Sequence, residues 1–329
     1  MPITIEPLAD QHHDDVYAIC RAAWEADVPD IPYATRAAFT AILGRPWPAH
    51  GFERWVALLD GVPAGYLQLR TPLADNLDNV DLDLWTALEH RRRGVGRAMF
   101  AHAVDRTRAL GRRHLIASTN DRRPDGGAFA VAVGARAGLA ETRSRLDVPP
   151  SDQAKIDALL AGARSRADGY RLVRWTGVPA EEHLDDIAYL DSRLFVDAPT
   201  GDLALEPEKV DAERVRASAE RRIAVGGSAF HTGAVHAASG RMVAWTFIAG
   251  NDDAPAQAWQ QITIVDPEHR GHRLGLLVKL ENLRHIRELR PELTGIDTVN
   301  ASANRHMLAI NEEMGFRPVD SWIQWQLTL

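Results

Sequence analysis

Two short runs of this chain have the residue types and spacing of an anion cradle: Glu89-His90-Arg91-Arg92-Arg93-Gly94-Val95-Gly96 and Glu268-His269-Arg270-Gly271-His272-Arg273-Leu274-Gly275. Glu, His, the first Arg and the last Gly coincide when the runs are superposed at an offset of 179 residues. Each run follows an apolar β-like segment and opens a helical pattern. A strand that turns through Gly and Arg into a helix leaves the first N–H groups of that helix without intrahelical partners. It aims them, with the positive end of the helix dipole, at one point, where a pyrophosphate is readily held. Proton-transfer candidates are fewer. Asp81 and Asp83 lie two apart in the strand entering the first cradle, hence on one face, and an enclosed carboxylate there suits a proton acceptor. The matching strand of the second copy carries Gln260, Gln261 and Thr263 instead. His231 and His236, five apart in a strand, point to opposite faces and make no metal pair. The single Cys20 permits neither an intrachain disulfide nor a multi-cysteine metal site.

The offset extends beyond the cradles. Asp60-Gly61 falls on Ser239-Gly240 and Tyr66 on Trp245, each turn lying between β-like runs that read as a hairpin. Near the end of each half, Gly138-Leu139 is read as the counterpart of Gly315-Phe316. A duplicated domain follows, with residues 1–150 as the first copy, 151–169 as a helical linker after Pro149-Pro150, and 170–329 as the second. Each copy is expected to run strand–helix, hairpin, strand–cradle–helix, strand–helix and terminal strand. The post-cradle helices carry Val95, Met99 and Ala103, and Leu276, Leu280 and Leu283, at helical spacing. The strand after each helix is parallel to the one before it. Short helices are expected over 129–137 and 305–314.

The chain of 329 residues suffices for two cores. A net charge of −7 argues against a nucleic-acid or anionic-membrane partner, while the local bunching of arginines suits a small anionic ligand. No apolar run approaches the ~20 residues of a membrane span, and the first residues lack a secretory pattern, so the cytoplasm is the expected compartment.

Arg91-Arg92-Arg93-Gly94-Val95-Gly96 satisfies the Arg/Gln-x-x-Gly-x-Gly/Ala signature of the GNAT acyl-CoA N-acyltransferase superfamily, and Arg270–Gly275 satisfies it except that Arg273 replaces the first glycine. With the closing Asn304…Asn311…Gly315-Phe316 pattern, the chain resembles this superfamily once per half, in the tandem arrangement of mycothiol synthase-like acetyltransferases. The resemblance implies an α/β fold, a mixed sheet with helices on both faces in each of two tandem domains. It implies acetyl-CoA or another acyl-CoA as co-substrate, no metal, and direct acyl transfer to a small-molecule amine by a monomer or homodimer. The pantetheine arm would run beside the backbone of Trp85 and Thr86, or of Ile264 and Val265. The pyrophosphate would sit on the amides of 92–97 (Arg92, Arg93, Gly94, Val95, Gly96, Arg97) or 271–276 (Gly271, His272, Arg273, Leu274, Gly275, Leu276). Arg91, Arg92 and Arg97, or Arg270 and Arg273, would add charge, and Asn300 and Asn304 would grip the arm. Many members carry an acidic tyrosine four residues before the closing glycine; here those positions read as Gly134 and Asn311. Asn311 could hold the thiolate or a water but cannot titrate. The asparagine-rich last helix makes the second half the expected seat of catalysis, with Asn311, Asp81 and Asp83 as catalytic candidates. The alternative is a non-catalytic acyl-CoA-binding or sensing protein.

Overall fold

Alternating apolar residues and glycine turns set up the same series of elements twice in the structure, a computed structural model that describes residues 2–329. The first series is β1 (Ile3–Pro7), α1 (His13–Asp27), α2 (Arg36–Gly44), β2 (His50–Leu59), β3 (Val62–Pro72), β4 (Asn79–Thr86), α3 (Val95–Ala109), β5 (His114–Asn120), α4 (Pro124–Ala132) and β6 (Arg136–Asp147). After α5 (Gln153–Arg164) the second comprises β7 (Tyr170–Thr176), α6 (Glu181–Ser192), α7 (Leu194–Asp197), α8 (Ala212–Ala224), β8 (Gly227–His236) and β9 (Met242–Asn251). It closes with β10 (Gln257–Val265), α9 (Leu274–Leu289), β11 (Gly295–Ala301), α10 (Arg305–Met314) and β12 (Arg317–Thr328). Asp60 and Gly61 both take positive φ, 51° and 81°, as a tight hairpin turn of the type matched to strand twist requires.

The two compact units are not simply the two halves of the sequence. The first contains the chain up to Ala140 together with Thr200–Glu206 and Ser321–Leu329; the second contains Glu141–Pro199 and Pro207–Asp320. In the first, β1, β2, β3 and β4 are antiparallel neighbours, β4 meets β5 in parallel, and β5 pairs antiparallel with Trp322–Thr328 of β12. In the second, β7, β8, β9 and β10 repeat the antiparallel run and β10 meets β11 in parallel. There β11 pairs antiparallel with Glu141–Asp147 of β6. The terminal strands are thus exchanged between the two halves of the sequence.

Within each unit helices cover both faces of the strands, which accounts for the mixed α/β class. In the first unit Val95, Met99 and Ala103 of α3 pack with Leu67, Leu69 and Leu82, while Val16 and Cys20 of α1 and Phe39 of α2 pack with Val56, Leu58 and Tyr66 on the opposite face. In the second unit α9 is buried along most of its length. The stretch expected as a linker contributes α5, whose Ile156, Leu160 and Ala163 join that core.

The helix expected over 129–137 lies earlier. Pro124 starts α4 with a pre-set φ, and Gly134, at φ 86°, ends it before β6 begins at Arg136. Gly315, at φ 98°, ends α10 in the same way two residues before β12. The counterpart of Gly315 is therefore Gly134, at an offset of 181, and that of Asn311 is Ala130. Gly138 serves another purpose. Its carbonyl accepts from Asp202 N at 2.8 Å, and a Cβ there would collide with Leu203, so the residue is small because the 200–206 segment crosses against it.

One ion cluster fixes the exchanged end of β6 in the second unit. Arg143, with 0 % of its side chain exposed, donates from Nη1 to Asp297 Oδ2 of β11 at 2.9 Å, and from Nε and Nη2 to the carboxylate of Asp320 at the start of β12. Removing one partner of a buried pair strands the other charge. Asp320→Ala is expected to cost about 3–5 kcal/mol by urea denaturation. Arg317→Ala, which breaks an ion pair to Asp147 from a side chain 71 % exposed, is expected to cost about 0–1 kcal/mol in the same experiment.

Candidate functional site

The parallel strands β4 and β5 pair only at Asn79, Val80 and Asp81 with His114, Leu115 and Ile116. Beyond that point β4 stays on β3 as far as Thr86, and β5 stays on β12 as far as Asn120. Each strand is held by its outer neighbour, so the two part. A cleft of about 1020 Å³ lies in this opening. Its mouth is the cradle, lined by Arg91, Arg92, Gly94, Gly96 and Arg97; Leu84, Trp85 and Thr86 form one wall, Ala117–Asn120 the other, with Phe100, Phe129 and Ala130 beside them.

The cradle has the geometry that anion binding requires. α3 begins at Val95 with Gly94 as its cap, and α9 at Leu274 with Arg273 as its cap. The first capped turn closes with Ala98 N to Gly94 O, at 3.0 Å, and Leu277 N to Arg273 O, at 2.9 Å. The amides of Val95, Gly96 and Arg97, and of Leu274, Gly275 and Leu276, accordingly have no carbonyl within their own helices. Each cradle contains two left-handed residues, and the glycine changes place between copies. Arg92 (φ 64°) precedes Gly94 (φ 90°) in the first, and Gly271 (φ 88°) precedes Arg273 (φ 56°) in the second. Arg273 thus reproduces the backbone of the glycine it replaces, in a conformation that costs a non-glycine residue about 1–2 kcal/mol.

Several cradle arginines are already paired. Arg91 is held by Asp27 at 3.1 Å, Arg270 by Asp197 at 2.9 Å, and Arg273 by Glu313 at 2.6 Å. Arg92 and Arg97 remain as exposed side chains at the cleft mouth, while Arg93 is exposed outside the cleft lining, as is His272 in the second cradle.

At the inner end of the cleft Asp81 and Asp83 stand on the same face, as their spacing requires, and their register partners on β3 are Arg70 and Gln68. Arg70 pairs with Asp81 at 2.7 Å. Asp83 Oδ2 accepts instead from the neutral Gln68 Nε2 at 2.8 Å. Asp83 keeps an exposed side chain, and it lines the cleft. Desolvation by the surrounding cleft walls pushes its carboxyl above the ordinary carboxylate range, the Gln68 hydrogen bond and the Arg70 charge oppose the rise, and Asp81 adds to it. Trp85 and Trp24, with ring centroids 6.2 Å apart, form an aromatic wall beside it.

The second unit departs from this arrangement at depth. β10 and β11 pair only at 257–259 with 295–297, and β10 bulges between Gln260 and Thr263. The space before Gly96 is bounded by Leu84, Thr86 and Phe129, and that before Gly275 by Thr263, Val265 and Ile310, so the two slots correspond closely. Where the first unit has Phe100 and Ala130, the second has Lys279 and Asn311, each 1 % exposed, with Lys279 Nζ donating to Asn311 Oδ1 at 2.6 Å. Asn311 Nδ2 in turn donates to Asn300 Oδ1 at 2.8 Å. Asn311 is thereby committed to internal partners, which argues against the catalytic part expected for it. Asn304 caps α10 by accepting from Met307 N at 3.2 Å. Ile264 is buried among the α6-side residues, and Val265 is half-buried at the slot. Burial alone pulls the Lys279 ammonium down to about 7.

The sequence pattern alone does not single out Gln68, Arg70, Phe100, Ala130 or Lys279. The hairpin register would have placed Gln68 and Arg70 opposite Asp83 and Asp81, and the offset of 179 pairs Phe100 with Lys279.

Two outcomes follow from this geometry. Gly94→Ala meets only Ile3 Cδ1 at 3.7 Å, so backbone strain alone should destabilise it, by about 1–2 kcal/mol in urea unfolding. Because Lys279 has a lower pKa folded than unfolded, the unfolded chain binds the extra proton between pH 7 and the ordinary lysine value. Stability should therefore rise with pH across that window. Lys279→Met is expected to flatten the rise, as read from urea midpoints at pH 7 and pH 10.

A family model for the Acetyltransferase (GNAT) family matches residues 13–126. Among solved structures, a tandem GNAT protein from the clavulanic acid biosynthesis pathway superposes with a TM-score of 0.80 at 29 % identity, covering 99 % of this chain and 98 % of the other. A GCN5-related N-acetyltransferase from Sphaerobacter thermophilus gives 0.68 at 12 % identity, covering 99 % and 95 %. No protein of curated function matches the chain in sequence. Among the described residues no helix is long and apolar enough to cross a membrane. The first half thus carries the match to the Acetyltransferase (GNAT) family, and the chain as a whole, with its repeated cradles and parted strands, is similar to a tandem GNAT protein.

Proposed function

We propose that the chain transfers an acetyl or related acyl group from acyl-CoA directly to the primary amine of a small molecule, and that the first unit carries out the transfer. The observation that carries this reading is the continuous cleft from a helix N-terminus with free amides, between the parted strands, to the carboxylate of Asp83. A pyrophosphate suits the Val95–Arg97 amides with Arg92 and Arg97 beside them, and the open side of β4 at Trp85 and Thr86 offers main-chain groups to an extended amide-bearing arm. The acyl-CoA supplies the activated carbonyl.

The rest falls to side chains of this chain. Asp83 accepts the proton that an ammonium must shed before its nitrogen can attack, and its raised pKa brings it closer to that task. Trp24 and Trp85 offer ring faces to a cationic acceptor. Asp81, Arg91 and Asp27 are internally paired, so Asp83 is the charge that distinguishes the acceptor end, and it favours a positively charged amine. Ala130 can give no proton to the leaving thiolate, so the reaction depends on holding the amine close and on water for that proton. Lys279 and Asn311 fill the equivalent depth of the second unit, which favours the first as the reacting one.

Calorimetric titration with acetyl-CoA is expected to show binding that Gly94→Glu abolishes or halves in stoichiometry. Absence of binding at millimolar acetyl-CoA would sink the reading. Release of CoA measured over an amine panel should depend on one class of amine, and Asp83→Asn should lower its kcat by roughly 10²–10⁴. In the wild type kcat/KM should fall with pH through the Asp83 titration, above the ordinary carboxylate range. CoA binding with no amine-dependent release would favour a non-catalytic binding protein.

A further inference from the structure

Asp83 sits in an arrangement that goes beyond a carboxylate in a cleft. Gln68 faces it across the β3–β4 ladder, and the amide of Gln68 is gripped from behind by two donors. Arg54 Nε reaches Gln68 Oε1 at 2.7 Å, and Tyr66 Oη donates to the same oxygen at 3.2 Å. A guanidinium has donors only, so Gln68 must turn its oxygen to Arg54 and its NH₂ to the other side. Arg54 is itself fixed, through Nη1 to Leu43 O at 2.9 Å and by stacking over Phe52 at 4.9 Å. The NH₂ then meets Asp83 Oδ2 at 2.8 Å, while Oδ1 takes no hydrogen bond among the described residues.

We propose that Gln68 is a positioning residue for Asp83: with its amide direction set by Arg54 and Tyr66, it holds one carboxylate oxygen and leaves the other to receive the proton of the acceptor amine. The proposal rests on the reading of Asp83 as proton acceptor, but its central test does not. The hydrogen bond favours the ionised carboxylate and opposes the rise caused by desolvation. The other titratable or charged groups near Asp83 are Asp81 on β4, Arg70, Tyr66 and Arg54 on β3 and β2, Cys20 on α1 and Tyr33 after it. Burial pushes the Cys20 thiol up to about 12 and raises both tyrosine hydroxyls, so these three stay neutral across the working range. Asp81 and Arg70 are paired and act on Asp83 in opposite senses. Gln68 is thus the neutral group that aims Asp83 and counters the rise that desolvation causes.

The test is a carbon-13 titration of the full chain labelled at the aspartate carboxyl carbon, with Asp83 assigned as the signal lost in Asp83→Asn. In Gln68→Leu the Asp83 midpoint should move up, and in Gln68→Glu it should move up further. Arg54→Met, which frees the amide to turn without altering Gln68, should also raise it, giving a second variant should the first fold poorly. An unmoved midpoint in Gln68→Leu, or equal shifts at remote aspartates, overturns the proposal. Amine-dependent CoA release from acetyl-CoA supplies the functional readout. The acid limb of kcat/KM should move by the interval seen in the titration, with the rate recovering at higher pH, which a packing defect would not produce. If Asp83→Asn leaves release intact, the assignment of Asp83 as proton acceptor fails, whereas the carbon-13 shift still decides the part played by Gln68.

Discussion

The site depends on two parallel strands that pair over three residues and then separate. A strand that loses a neighbour exposes backbone donors and acceptors, and a sheet interior does not leave such groups unmatched without cost. β3 and β12 hold β4 and β5 from outside, so the gap cannot close by sliding. The gap also fixes where everything else stands. α3 must begin at the end of β4, so its free amides fall at the mouth. The two-residue period of β4 places Leu82 and Leu84 on the α3 side and Asp81, Asp83 and Trp85 on the α1 side. Cradle and carboxylate are thereby brought to a single opening by one strand.

The two copies show which features this geometry tolerates changing. The backbone of the cradle survives a swap of glycine and arginine between its two left-handed positions, because either residue can be forced there while a neighbouring glycine carries the other turn. The depth of the slot has diverged further. Phe100 and Ala130 line open space in the first unit, whereas Lys279 and Asn311 meet each other at the same level in the second. A buried ammonium is expensive and here has one neutral hydrogen-bond partner, with the Phe316 ring 5.2 Å away. A pair of this kind fixes α9 to α10, a structural task the first unit performs with the rings of Phe100 and Phe129.

What was legible in the sequence was what local chemistry determines. The cradles, the hairpins and the helix over 305–314 depend on residues adjacent in the chain, and their glycines and apolar spacing announce them. The closing step of the first half is hard to place from sequence because Gly138, needed for the close passage of Leu203, looks the same there as a helix-ending glycine; Gly134, four residues earlier, does the latter work. Lys279 lies on a helix whose polar and apolar residues are both buried, so amphipathic spacing gave no sign that it was enclosed. The destinations of β6 and β12 depend on partners in the other half of the chain, which no local pattern encodes. Gln68 was reachable in principle, through the β3–β4 register, but only once the strand bounds were known.

The exchange of terminal strands changes what duplication means for this protein. Trp322, Gln324, Trp325 and Leu327 line the cleft of the first unit, and they come from the end of the second half of the sequence. The Trp325 indole donates to Thr119 Oγ1 at 2.8 Å, tying β12 to the wall that faces the parted strands. In the second unit, Arg143 and Leu146 from the first half supply a buried cation and a core side chain. A first half cut from its partner would lack the strand that holds β5 away from β4, and with it the support that keeps the cleft open. The second copy is therefore required for the geometry of the first even where it contributes no chemistry of its own. That requirement is a physical reason for two copies to remain fused while their slots diverge.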